Sequence, residues 1–577
     1  MSDRQAATIV RRPVITGLER LPAGLAPVLQ RIYAARRIES GDDLEYSLER
    51  LHPPQQLGGL AQAISLLATA VTTGQRLLIV GDFDADGATS CALCMRALRS
   101  MGTQEVAYLV PNRFEYGYGL TPEIVEVAAR QQPDLIITVD NGISSVAGVA
   151  AAQAHGIRVL ITDHHLPGEQ LPQADAIVNP NLHGDAFPSK HLAGVGVAFY
   201  VMLALRAELR RRDWFAQQAI PEPNLGRLLD LVALGTVADV VPLDHNNRIL
   251  VAQGLQRIRA GHCVPGIHAL LQTGRRSAAR CVAEDLGFAV GPRLNAAGRL
   301  DDMSLGIECL LTDSESTARV MATQLDDLNR ARREIEAGMQ AQALTAIREL
   351  HLDADELPMG LCLFDPDWHQ GVVGILASRI KERYHRPVIA FARSDAGELK
   401  GSARSVSGLH IRDTLDAVAT RYPGLITRFG GHAMAAGLSL EASKFAAFAA
   451  AFAAEVARAL SREQLGNVIY SDGALSVDEL TLDIARLLRD AGPWGQGFPA
   501  PLFDGRFCVL DQRVVGEKHL KMHLSPVDGP IPIDAIAFNT PSLPQACRKA
   551  HMAYRLDVNE FRGVESAQLI VEHIEIA

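Results

Sequence analysis

The chain has 577 residues, with 56 Lys plus Arg against 66 Asp plus Glu, a formal net charge of −10 and 48% hydrophobic residues. A chain of this length exceeds what one hydrophobic core organises, so a single-module protein is excluded and three or four domains of about 150 residues are expected. The acidic balance excludes a uniformly basic coat for unselective nucleic-acid binding, while local basic grooves stay open.

At the N-terminus, MSDRQAATIVRRP lacks the apolar segment of a secretory signal, so a cytoplasmic location is expected. No stretch reaches the roughly 20 apolar residues of a membrane span. Eight cysteines are scattered, and only Cys91 and Cys94 lie close together. A lone C-x-x-C without a second pair makes a poor zinc site, and i,i+3 spacing reads as core packing on a helix.

From 76 to 162, RLLIV (76–80), VAYLV (106–110), LIITV (135–139) and RVLIT (158–162) are short, unalternating runs rich in Val, Ile and Leu. They read as buried strands, with helices expected at about 88–101, 121–132 and 144–155. Strand and helix in series predict a parallel sheet, which binds ligands beyond the carboxyl ends of its strands.

Acidic residues collect at those ends. GDFDADGATS carries Asp82, Asp84 and Asp86, VDNGISS carries Asp140, and TDHHLPG carries Asp163, His164 and His165. Crowded carboxylates repel unless protonated or neutralised, and divalent cations are the simplest neutraliser. Asp-x-Asp-Gly alone also suits a calcium loop, a haloacid-dehalogenase-type phosphatase or plain turn capping. Repetition on three strands favours a metal centre. Asp239, at the end of DLVALGTVADVVPL, reads as a helix cap in isolation and as a further ligand beside the others. Carboxylates plus imidazole suit Mn²⁺ or Mg²⁺, and two such ions would serve phosphoester hydrolysis.

Residues 312–351 contain no proline and one glycine, open on the capping-box pattern Thr312-x-x-Glu315, and carry a stripe through Met321, Leu325, Leu328, Ile335, Met339 and Ile347. One long helix joining two domains is expected. Farther on, Phe445, Phe448 and Phe452 share a helix face and read as core. Beyond 467, short strand-like runs predict a small β-barrel or sandwich. Its interleaved pairs Phe503 with Arg506, Lys518 with Lys521 and Tyr554 with Arg555 suit base stacking or a half-buried barrel wall.

The DFDADG, VDNG, DHH and VALGTVADVVPL segments, in this order, resemble the DHH phosphoesterase superfamily. GPRLNAAGRLDD, WHQGVVGILASRI and FGGHAMAAGLSL resemble its single-strand-specific exonuclease branch, and the likeness covers nearly the whole chain. The resemblance implies an α/β protein. Its parts are an N-terminal segment and parallel-sheet DHH domain over 1–311, a connecting helix over 312–352, an α/β DHHA1 domain over 353–466 and an OB-like β-barrel over 467–577. It also implies 5′→3′ hydrolysis of single-stranded DNA to mononucleotides with Mn²⁺ or Mg²⁺. Implied partners are single-stranded DNA-binding protein and a RecQ-type helicase, in recombination and mismatch repair.

By the same resemblance Asp84, Asp86, Asp140, His164 and Asp239 are metal ligands with Asp82 at the edge of the site. His165 faces the scissile phosphate, and Asp163 either joins it or orients His164 from behind. Arg113, Arg293, Arg299, Ser402 and Arg404 are candidates for the DNA phosphates, because guanidinium groups hold phosphate bidentately. His369, Gln370 and His432 sit in family motifs expected at the same cleft. Ala403 stands where the family commonly has glycine, which would strain a turn of positive φ. Rival readings are a DHH phosphodiesterase for short oligonucleotides or cyclic dinucleotides, and a non-catalytic Cdc45-like scaffold. The first would prefer a dinucleotide over a long strand, and the second would lack the acidic set.

Overall fold

The computed structural model describes the chain except residues 1–7, 14–20, 112–118, 169, 350–356, 395–396, 432–433, 462–464, 466–467, 517, 530, 541, 545–547 and 577. Two compact units emerge. One comprises Met1–Arg12, Arg330–Ser471 and His573–Glu575; the other comprises Pro13–Asn329, Asp472–Glu572 and Ile576–Ala577.

The larger unit is built on a five-stranded, wholly parallel sheet. Its strands run in the spatial order Val106–Leu109, Leu77–Gly81, Leu135–Val139, Arg158–Thr162 and Ala176–Val178. Four match the apolar runs, but Val106–Leu109, at the edge of the sheet, is partly exposed rather than buried as expected. The fifth, of three residues, is too short for a periodicity signal. Ile79, Val80, Ile137, Leu160 and Ile161 are fully buried, as strands covered on both faces require. Strand order reverses between Leu77–Gly81 and Leu135–Val139, so the connections leave in opposite directions and open a crevice at their carboxyl ends. Helix Ala85–Ser100 follows the first acidic loop and is buried almost throughout. Helices Gly194–Arg211 and Leu229–Ala238 pack against it, and both deliver site groups. Cys91 and Cys94 are free, buried core thiols on this helix.

Strands Phe503–Val515, His519–Pro526, Ile533–Ala537, Lys549–Phe561 and Val564–Ile576, all but His573–Glu575 in the same unit, curl into a barrel, the first pairing with both the second and the fourth. Phe503 and Tyr554 are fully buried inside it. The stacking role considered for that pair is therefore corrected, since a core ring cannot reach a base. Asp472, entering the barrel, forms a bidentate bond with Arg36 at 2.9 and 3.0 Å.

The other unit carries a mixed sheet ordered Arg428–Gly431, Ala435–Glu441, Glu398–Arg404, Val388–Arg393 and Leu361–Phe364. Phe391, Phe448 and Phe452 fill one side, and Leu376, Ile380, Met339 and Ile347 the other. The long helix runs Glu315–Glu349, which at 1.5 Å per residue is about 50 Å. Thr312 does not form its capping box. Thr312 Oγ1 accepts from Ser314 N at 3.2 Å, and Ser314 Oγ accepts from Thr317 N at 3.3 Å, so the hydroxyl nearest the first turn takes the cap. Ala403 lies mid-strand, paired with Ile389 and Ala436, and no turn of positive φ exists there to strain. Among the described residues no helix is long and apolar enough to cross a membrane.

Candidate metal centre

Strand Leu77–Gly81 delivers Asp82 and the loop that starts helix Ala85–Ser100. Asp84 caps that helix, its Oδ1 accepting from Asp86 N at 2.9 Å and Gly87 N at 3.0 Å. Asp86 Oδ2 accepts from Gly194 N at 2.6 Å and its Oδ1 from Val195 N at 2.9 Å. These are the first amides of helix Gly194–Arg211, a favourable place for a carboxylate. Gly194 also lies against Asp140, where a Cβ would stand 2.6 Å from the Asp140 Cβ.

Asp140 ends its strand at φ +62°, a conformation that costs a non-glycine residue and marks a functional constraint. Asp239 sits at the C-terminus of helix Leu229–Ala238. A carboxylate there opposes the helix dipole, which argues against a stabilising cap and for a ligand. His164 Nε2 lies 3.1 Å from Asp140 Oδ1 and 3.5 Å from Asp239 Oδ2. Its Nε2 is buried and makes a hydrogen bond to neither.

Coordinating atoms of Asp82, Asp84 and Asp140 fall within 4.8 Å of one another, as do those of Asp86, His164 and Asp239, and those of Asp140, His164 and His165. The whole expected metal set thus meets at one edge of the sheet. Its electrostatics demand cations. Burial, then the charges of Asp239 and Asp84, pushes Asp86 up to about 7. Burial and Asp84 raise Asp239 to about 8. Burial and four neighbouring carboxylates, Asp86 first, raise Asp140 well above its ordinary range. His164 is pushed down by burial and by the charge on His165, leaving a neutral imidazole with a free lone pair. Hard carboxylate oxygens plus one or two imidazoles fit Mn²⁺ or Mg²⁺.

Asp163 works differently from the expectation that it orients His164. Its Oδ1 contacts His165 Nδ1 at 2.7 Å and accepts from the amides of His164 and His165, while Oδ2 accepts from Ile143 N at 2.9 Å. Burial would raise its pKa, but the His165 charge and these bonds hold it at about 2. Burial likewise works against a charged His165, yet Asp163 lifts it to about 9. Asp163 thus orients the His165 ring through Nδ1 and favours its charged form.

Several positioning groups escaped the sequence reading. Asn141 Nδ2 donates to Val80 O and Val139 O, tying the two central strand ends together. Asn179 and Asn181 donate to the carbonyls of His165 and His164. Asn295 Oδ1 accepts from Ala85 N at 2.7 Å, so the GPRLNAAGR helix, Gly291–Leu300, holds the acidic loop. Asn141 and Asn295 stood inside quoted motifs; Asn179 and Asn181 carried no signal.

The phosphate candidates divide. Arg293 is buried, ion-paired to Asp326 at 2.8 Å and bonded to Ala289 O, so its charge is used inside the fold and the expected DNA contact gains no support. Arg299 is half-buried on the same helix. In the smaller unit, Arg404 Nη1 donates to Ser402 Oγ at 3.0 Å, and a Cβ on Gly374 would lie 2.8 Å from Ser402 Oγ and Arg404 Nη2. Gly374 is in the first turn of helix Val373–Tyr384, so a guanidinium, a hydroxyl and a helix N-terminus converge there. His369 Nδ1 accepts from Gly371 N, and Gln370 donates to Arg393 O, shaping the turn before that helix. Arg113 and His432 lie outside the described residues.

Family models match three segments: the DHH family N-terminal domain at 76–236, the DHHA1 domain at 358–458 and the RecJ OB domain at 471–573. The single-stranded-DNA-specific exonuclease RecJ of Dickeya dadantii is 59% identical over 98% of both chains. RecJ of Thermus thermophilus in complex with Mn²⁺ matches the whole chain with a TM-score of 0.81 at 30% identity, over 80% of its own length. The same enzyme in complex with Mg²⁺ matches with a TM-score of 0.76 at 28% identity, over 79% of its length. Likeness of this extent, with the acidic and histidine set gathered at the sheet's switch point, makes this chain a member of the RecJ family.

Proposed function

We propose that this chain is a 5′→3′ exonuclease that hydrolyses single-stranded DNA to mononucleotides by a two-metal mechanism. The observation that carries the proposal is the pair of donor triads sharing no residue, Asp82–Asp84–Asp140 and Asp86–His164–Asp239, gathered at one sheet edge. Two separate triads suit two ions, and the relatives bound to Mn²⁺ and Mg²⁺ support their identity. When bound, such ions supply an acidified water and neutralise charge developing on a phosphate.

The chain's own residues do the rest. Asp163 holds His165 charged and oriented, so its ring offers a cation and a proton to the scissile phosphate or its leaving oxygen. Asp86 is fixed by the amides of Gly194 and Val195, and Asp84 by its own helix, so the acceptors need no reorganisation when substrate arrives. Ser402, Arg404 and the N-terminus of helix Val373–Tyr384 bind the 5′-terminal phosphate, with Arg299 and, by the family motifs, Arg113, His369, Gln370 and His432 along the strand. Family membership supports a role in recombinational and mismatch repair, with single-stranded DNA-binding protein and a RecQ-type helicase as partners.

The test is digestion of a long 5′-phosphorylated strand carrying distinguishable labels at its two ends, with Mn²⁺. Release of 5′-labelled mononucleotide first, abolished by chelator and by Asp140→Asn, is the expected result. First release from the 3′ end, or preference for a dinucleotide, would refute it.

A further inference from the structure

The metal centre is bordered by apolar side chains left in solvent. Leu166 follows His165 and is 43% exposed; Val240 follows Asp239 and is 63% exposed. Val240 also holds φ +62°, a left-handed conformation that a β-branched residue adopts only under constraint. Phe288 is 72% exposed, the most open large apolar side chain among the described residues. It sits in a single wide π-helical turn, Leu286–Val290, a local irregularity frequent at functional sites.

That turn packs on the helix that delivers Asp239. A Cβ on Gly287 would lie 3.3 Å from Val237 Cγ1, and one on Gly291 would lie 3.1 Å from the Ala238 Cβ. Val237 and Ala238 immediately precede the ligand. The turn is also anchored below, since Arg293 donates to Ala289 O and is paired with Asp326. Two independent backbone irregularities, at Val240 and at the π turn, thus hold apolar groups outward beside one metal ligand. Leaving these groups in water costs free energy, and burial against an apolar partner would recover it.

We propose that Phe288, on the turn packed against the helix that delivers Asp239, is a base-stacking shelf for the substrate strand. The inference rests on the exonuclease reading and deepens it. The occupant follows from continuity with the metal centre: a strand whose phosphate reaches Asp239 carries its bases along the neighbouring surface. An aromatic face with no polar partner accepts every base, which suits an enzyme that must digest any sequence.

The experiment uses the full-length chain with Mn²⁺ on a 5′-phosphorylated oligonucleotide in which a single abasic residue is moved stepwise from the 5′ end. In the wild type, one position near the end should raise KM about tenfold, with kcat changed less than twofold. Phe288→Ala should raise KM by a similar factor on the intact strand and remove the penalty at that same abasic position. Phe288→Trp should behave as wild type. Phe288 is exposed, so melting temperature and sedimentation should be unchanged in both variants.

An abasic profile identical in wild type and Phe288→Ala would overturn the shelf, as would a wild type indifferent to every abasic position. A change of oligomeric state in Phe288→Ala would also overturn it, by assigning the patch to a second copy. If the wild type leaves the intact strand undigested, the exonuclease reading itself has failed.

Discussion

Asp163 shows how one buried carboxylate can set the state of its neighbour. It accepts from three backbone amides and from His165, and the pair settles with Asp163 at about 2 and His165 at about 9. Replacing Asp163 with Asn keeps the shape but removes the charge. Activity with Mn²⁺ should fall about 10–100-fold, the usual cost of losing a group behind a site's working residues. The basic limb of the pH–rate profile should also move toward lower pH; an unmoved limb would mean that His165 does not govern it. The ligand carboxylates titrate in the opposite sense to Asp163. Asp86 and Asp239 have raised folded pKa values of about 7 and 8, so their contribution to stability is present at low pH and lost as pH climbs through those values. The raised His165 adds loss in the same direction up to about 9. In chelator, the melting temperature should therefore drop between pH 6 and pH 9, and Mn²⁺ should raise it most at pH 9. A flat profile without metal would contradict this.

At the scale of elements, the acidic loop is held by a helix far away in sequence. On helix Gly291–Leu300, Asn295 accepts from Ala85 N, and Gly298 lies so close to the loop that a Cβ would stand 1.7 Å from Phe83 O. Gly298→Ala must push the loop aside. It should destabilise the chain by about 1–3 kcal/mol, as overpacking does. It should also weaken Mn²⁺ binding measured by calorimetry, with no ligand altered. Retention of full Mn²⁺ affinity would show that the loop is set by its own helix alone. The GPRLNAAGR motif, read from sequence as a phosphate binder through Arg293 and Arg299, also braces the acidic loop through Asn295 and Gly298.

At the scale of the molecule, the barrel shares a unit with the parallel-sheet domain. Arg36 and Asp472 make a buried tie, with side chains 2% and 1% exposed. Arg280, by contrast, reaches Glu560 and Glu565 from a position 41% exposed. Asp472→Ala leaves a buried guanidinium unpaired and should cost about 3–5 kcal/mol. Arg280→Ala should cost no more than about 1 kcal/mol. Denaturant melts of the two variants check the contrast, and equal losses would mean that the exposed cluster binds the barrel as strongly as the buried pair.

The four apolar runs, the acids at their ends and the long helix were legible in the sequence, because buried parallel strands and helix stripes leave periodic signals that depend on neighbours close along the chain. Asp82, Asp84, Asp86, Asp140, His164 and Asp239 could be grouped because a parallel sheet sends every strand end to one edge. What the sequence left open depended on contacts between distant segments. Asp163 chose His165 over His164 by the direction of the turn after its strand. Arg293 met Asp326 and Phe503 met Tyr554 through packing that no local pattern encodes. Exposure is likewise a property of the folded surface: Phe288 reads like any core aromatic along the chain, and only the π turn against Val237 and Ala238 turns it outward.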